Sequence, residues 1–117
     1  MPIGVQCREG MIVGASKPEL DIARNLRTVE WLKVELMGGL ATLYKALISN
    51  NNERILEALA NIIVGCYILG KRLGISFSRL GTKIQNKIRV NIEQNHEIEE
   101  WYGDFSALLH YLETDKR

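Results

Sequence analysis

The chain has 117 residues, 46% of them hydrophobic, and a formal net charge of +1. That is the size of one domain with a core of modest depth, and near-neutrality supplies no global attraction for nucleic acid or a membrane surface. The two cysteines, Cys7 and Cys66, stand far apart and outside any Cys-x-x-Cys spacing, which argues against zinc or dithiol chemistry.

Residues 1–15 contain Pro2, Gly4, Gly10 and Gly14 and no periodicity, so they read as a flexible N-terminal arm. No long apolar run follows a basic start, so no secretory signal is expected, and the expectation is a cytoplasmic protein with free thiols. A single helical domain is expected over 16–117. Ser16-Lys17-Pro18-Glu19 reads as a helix start, with Ser16 as cap, Glu19 closing a capping box and Pro18 tolerated in the first turn. Val29, Leu32, Leu36, Leu40, Leu43 and Leu47 form one apolar stripe at helical spacing, with Val34, Met37, Ala41, Tyr44 and Ile48 beside it. Thr28 is a second candidate cap, which leaves a break over 25–28 open. Gly38-Gly39 in mid-helix costs about 1 kcal/mol per glycine relative to alanine. The compensation is either a close-packed neighbouring helix or a degraded catalytic position.

Ser49 to Asn52 forms a turn, with Asn50 and Glu53 at capping-box spacing. A second helix is expected from Glu53 to Leu73, ended by a left-handed Gly74 and carrying Lys71 and Arg72 in its last turn. It is apolar almost all round, which places it in a core or a subunit interface, and Cys66 reads as a small core residue. Its apolar run is too short to span a membrane before Lys71 and Arg72 interrupt it. Ser76 caps a third helix with apolar face Phe77, Leu80, Ile84, Ile88 and Ile92 and with Arg79, Lys83 and Lys87 on a neighbouring face. Charged residues from Lys71 to Ile92 are all basic, and those from Glu93 to Asp104 are all acidic. Such blocks pair within a fold or between subunits. A helix end at Asn95-His96, a short helix through Trp101, a break at Gly103 and a last helix capped by Asp104 complete an all-α bundle of four to five helices.

Three motifs lie in fixed order: Glu35-Leu36-Met37-Gly38-Gly39-Leu40-Ala41, Glu57-Ala58-Leu59-Ala60-Asn61 and Arg72-Leu73-Gly74-Ile75, followed by Lys83, Asn86 and Lys87. From about Val29 to Asn91 the chain resembles the MazG-like all-α nucleoside triphosphate pyrophosphohydrolases, relatives of the dimeric dUTPases. The resemblance implies an E-x-x-E pair on one helix and an E-x-x-D pair on the next, four carboxylates around magnesium. Spacings of three put each pair on one helix face, and magnesium needs hard anionic oxygens beside substrate phosphates. Here the four positions read Leu36, Gly39, Ala58 and Asn61. Glu35, Glu57 and Asn61 are what remains for a residual metal site, with Glu53 one turn before Glu57. The resemblance also implies nucleotide contact through the third helix, and Arg79, Lys83, Asn86 and Lys87 are the phosphate-binding candidates. No catalytic residue is assigned.

The resemblance further implies a homo-oligomer, a dimer or tetramer. His96 and His110 lack metal-ligand spacing. Trp31 and Trp101 fit packing or an interface better than base stacking. The resulting expectation is a MazG-like protein without its magnesium site, catalytically inactive or impaired and needing no cofactor, that acts as an interaction or nucleotide-sensing module. The alternative is a divergent magnesium-dependent hydrolase built on Glu35 and Glu57 with Lys83 or Lys87.

Overall fold

A computed structural model of the chain describes residues 17–94 and 96–114. Five helices follow in order: α1 (Lys17–Ser49), α2 (Asn52–Arg72), α3 (Phe77–Glu93), α4 (Glu97–Tyr102) and α5 (Asp104–Thr114). Among the described residues there is no strand, as the all-α reading requires. The chain divides after Gly74 into two compact units. The arm, Cys7 and the Ser16 cap lie outside the described residues.

The first unit is a hairpin of α1 against α2. α1 runs unbroken through 25–28: the Thr28 hydroxyl donates to the Arg24 carbonyl at 2.8 Å, one turn back, instead of capping a new start. The turn is one residue out of step with the capping-box expectation. Asn50 adopts φ 58°, and the Asn50 and Asn51 amides donate to the Leu47 and Ala46 carbonyls, which closes α1 with a Schellman pattern. Asn51 then caps α2, its side chain accepting from the Arg54 amide at 3.2 Å. At the other end Gly74 takes φ 93°, the left-handed residue expected there. Asn25 clasps this end: its amide donates to the Arg72 carbonyl at 2.9 Å and accepts from the Arg72 guanidinium at 3.3 Å.

Of the first apolar stripe, Val29 and Leu32 are buried and Leu36 and Leu43 half-buried, whereas Leu40 and Leu47 are exposed. The second stripe does not contribute to the core of the chain: Val34, Met37, Tyr44 and Ile48 are all exposed, Ile48 by 85%. α2 behaves likewise. Ala58 and Gly70 are buried, whereas Leu56, Leu59, Ile63 and Val64 are exposed. Cys66 is a free, exposed thiol rather than a core residue, because it lies on this outward side. The glycines explain how the helices close up. A methyl group at Gly39 would lie 3.2 Å from Ile62 Cγ1, and one at Gly65 would lie 3.3 Å from Leu36 Cδ2, so each helix sets a branched side chain onto a glycine of the other. Gly38 has open space around it.

The second unit packs α3 and α4 against α5. Ser76 caps α3 as its sequence suggests, accepting from the Arg79 amide at 3.1 Å. Ile88 is buried, Leu80, Ile84 and Ile92 are half-buried, and Phe77 is largely exposed. Gly103, at φ 67°, separates α4 from α5. His96 caps α4, its Nδ1 accepting from the Ile98 amide at 3.1 Å, while its ring meets the Phe105 ring edge-on. The N-terminus of α5 is held by Glu99 rather than by the expected Asp104, which is itself the first residue of the helix. Glu99 accepts the Ser106 amide at 3.0 Å and the Ser106 hydroxyl. The Ser106 hydroxyl, then its amide, hold the Glu99 carboxyl below the ordinary glutamate value.

Candidate functional site

Each unit presents one groove that gathers residues of interest. The groove of the first unit lies between α1 and α2 and encloses about 600 Å³. Small residues open it: Gly38, Gly39, Ala58 and Gly65 withhold side chains where the helices run side by side. Leu32, Leu36, Ile62 and Ile68 supply apolar walls, with Trp31 among the lining residues. Glu35 is its single carboxylate, accompanied by the Asn61 amide and the Thr42 hydroxyl.

Leu36, Gly39, Ala58 and Asn61 all line this one groove. These are the four positions at which the family resemblance implies carboxylates, and they come from two helices. What they present there is different chemistry. Leu36 rests on Gly65, Gly39 receives Ile62, and Ala58 is buried. Only Asn61 keeps a polar oxygen, a neutral one. Of the residual metal set, Glu35 and Asn61 line the groove together, while Glu57 and Glu53 are exposed on α2 and lie outside the lining.

This donor set does not suit magnesium. The ion takes near-octahedral oxygen ligands and is held by carboxylates together with substrate phosphates. One carboxylate and one amide leave most of its charge uncompensated. Among the described residues, no group of three or more histidine, cysteine, aspartate or glutamate side chains could hold a metal ion.

The second groove lies along α3 and encloses about 510 Å³. Ser78, Arg79, Thr82, Lys83 and Asn86 line it, with Ile75 and Leu80 as its apolar part. Three of the four phosphate-binding candidates therefore meet in one place. Lys87 is exposed one step around the helix and does not join them. Asn86 is oriented from behind: its carbonyl oxygen accepts from the Arg89 guanidinium at 3.2 Å, and Arg89 is fixed by an ion pair with Glu113 at 2.9 Å. The Asn86 amide nitrogen remains as the donor for an anion. Two hydroxyls, Ser78 and Thr82, are additions that charge alone did not flag. Their signal was in the spacing, since 78, 79, 82, 83 and 86 share one side of α3. The groove thus combines two permanent cations, an amide donor and two hydroxyls, the donor chemistry that phosphate oxygens take.

The model of the MazG-like family matches residues 22–105, well over half of the chain. The chain belongs to the MazG-like family. Neither the curated proteins nor the solved structures contain a match to it. The matched span runs from the first turns of α1 to the start of α5, so it includes both grooves. The family supports a helical fold of the nucleotide pyrophosphohydrolase type. For this MazG-like chain, the structure adds a largely apolar α1–α2 groove and a donor-rich groove on α3.

Of the other residues weighed from sequence, Trp31 is half-buried in the first groove and Trp101 is 65% exposed on α4. His110 is exposed, and its backbone carbonyl accepts from Thr114. No helix among the described residues is long and apolar enough to cross a membrane.

Proposed function

We propose that this MazG-like protein is catalytically inactive or severely impaired and acts as a homo-oligomeric interaction and nucleotide-sensing module. One observation carries the reading: the positions implied for magnesium carboxylates are joined in one groove and occupied by Leu36, Gly39, Ala58 and Asn61. Leu36 and Gly39 are committed to packing against α2. A polyphosphate brought there meets methyl groups and the single negative charge of Glu35. Phosphate recognition falls instead to Arg79, Lys83 and Asn86 on α3, with Lys87 adding charge nearby. Binding of that kind needs no metal, since the cations and N–H groups satisfy the oxygens directly.

The surface of the hairpin supports the self-association in this reading. Val34, Met37, Tyr44 and Ile48 on α1 and Leu56, Leu59 and Ile63 on α2 are exposed in the single chain. Contiguous apolar faces of this extent mark interfaces. A second copy covering them makes a bundle in which α2 is apolar-packed on several sides, as its composition demands.

The alternative, a magnesium-dependent hydrolase built on Glu35 and Glu57, draws on the placing of Glu35 beside Asn61. One experiment separates the two. The purified protein is incubated with each common nucleoside triphosphate and magnesium, and pyrophosphate release is measured alongside binding. The expected result is no release, with triphosphate binding that is lost in Lys83→Glu/Lys87→Glu while the helical circular dichroism is kept. Release that disappears in Glu57→Gln would establish the hydrolase instead.

A further inference from the structure

The second unit carries two exposed surfaces of opposite character. One is the basic face of α3, where Arg79, Lys83 and Lys87 repeat every four residues and are all exposed. None of the three makes an ion pair among the described residues. The other lies on α4 and the first turn of α5. There Trp101 and Tyr102 are 65% and 72% exposed, with their rings edge-to-face at 6.3 Å. Ile98 is exposed beside them, and the carboxylates of Glu97 and Asp104 flank them without an ion pair among the described residues. The ion pair between Arg89 and Glu113 uses neither surface.

We propose that the acidic–aromatic surface of α4 docks the basic face of α3 from a second copy of this chain. Charge complementarity selects that occupant. Among the described residues Arg79, Lys83 and Lys87 make no ion pair with Glu97 or Asp104, so a second copy can supply each set with the opposite charge. Each copy carries both surfaces, so a two-fold arrangement makes the contact twice and closes without an open end. Trp101 and Tyr102 give the contact what bare carboxylates lack. Their ring faces attract lysine and arginine cations and also shed water when covered. The contact is distinct from the apolar hairpin faces of the first unit, and it stands whether or not those faces associate. It does share α3 with the proposed phosphate groove. Phosphate and the neighbouring copy's carboxylates therefore compete, and anion binding loosens this contact.

Charge swapping tests the inference cleanly. Lys83→Glu/Lys87→Glu reverses two of the three cations on the α3 face, and Glu97→Lys/Asp104→Lys replaces the two carboxylates without an ion pair beside Trp101 and Tyr102 by cations. Sedimentation velocity of the wild-type chain should show an association step at about 0.05 M salt that is lost at about 0.5 M, where screening is severalfold shorter in range. Each double variant alone should lack the step, its dissociation constant raised by about tenfold or more. An equimolar mixture should recover it, because both contacts of the mixed pair are then complementary. Circular dichroism confirms that each variant is folded. If the step survives either swap, or if the folded variants fail to recover it on mixing, the inference is overturned. Failure here leaves the salt-insensitive association expected of the apolar hairpin faces untouched, so the two readings are scored separately. Inorganic pyrophosphate added to the wild type should reverse the step, and an unchanged step at saturating pyrophosphate would overturn the competition.

Discussion

Single residues decide the local geometry at three places, and each makes a prediction. Gly39 and Gly38 are neighbours in the same helix but differ in surroundings. A methyl group at 39 meets Ile62 Cγ1 at 3.2 Å, and a β-branched side chain in a helix has little freedom to swing aside. A methyl group at 38 meets nothing within 4 Å. Gly38→Ala should therefore stabilise the protein by about 1 kcal/mol through helix propensity alone. Gly39→Ala should gain clearly less than this, or lose stability, in chemical denaturation. Glu99 makes the second prediction. Its carboxylate holds the Ser106 amide and hydroxyl and sits below the ordinary glutamate value for that reason. The unfolded chain then takes up this proton at a higher pH than the folded chain does. The contribution is complete above the unfolded value and disappears as pH falls through the lowered folded value. Melting temperatures of Glu99→Gln and wild type should accordingly differ at neutral pH and converge in acid. Thirdly, Asn25 and Arg72 clasp the open end of the hairpin. Asn25→Ala leaves an exposed carbonyl that water can satisfy, so it should cost no more than about 1 kcal/mol.

At the scale of elements, helix content and order were legible because they rest on periodicity and on local stop signals. Gly74, Ser76 and Gly103 act where they stand in the sequence. The misreadings share a cause. Asn50 and Asn51 are chemically equivalent caps, and only the closure of α1 decides that Asn50 takes the left-handed position and Asn51 the cap. Asp104 is a good cap by composition, but Glu99 reaches the same amides from α4, a contact spanning seven residues. Thr28 bonds backward because α1 gains more by continuing to bury Val29 and Leu32 than by ending. The site was legible in part. The four positions taken from the resemblance, Leu36, Gly39, Ala58 and Asn61, line one groove, whereas of Arg79, Lys83 and Lys87, grouped by helical phase, only the first two line the α3 groove, with Asn86. Which outer residues would join them was not legible. Glu57 and Lys87 each sit one step around their helix from the groove, and only the helix orientations settle that. Leu32 ties the hairpin together at 4% exposure. Leu32→Ala should cost about 2–5 kcal/mol, measured by urea denaturation.

At the scale of the whole molecule, hydrophobic residues are plentiful and few are buried. The outward stripes of α1 and α2 carry Met37, Tyr44, Ile48, Leu56 and Ile63 into solvent in the single chain. A sequence pattern can show that a helix has two apolar faces, but not which face meets its own chain and which meets a copy. If these stripes form the subunit interface, the wild type should be dimeric or larger in sedimentation equilibrium at high salt. Met37→Glu/Tyr44→Glu should then be monomeric while staying helical. The same logic bears on function. A family scaffold persists through its apolar framework, whereas metal chemistry rests on a few carboxylates whose replacement costs the fold little. Here Leu36 and Gly39 pack against Gly65 and Ile62 of α2.

The most direct test is a calorimetric titration of the protein with magnesium, alone and with a non-hydrolysable nucleoside triphosphate. The expected result is no metal-binding heat from the protein alone, together with triphosphate binding that does not require magnesium and disappears in Lys83→Glu/Lys87→Glu. Saturable magnesium binding that is abolished by Glu57→Gln would contradict it, and would mean that a carboxylate metal site had been rebuilt from the residues that remain.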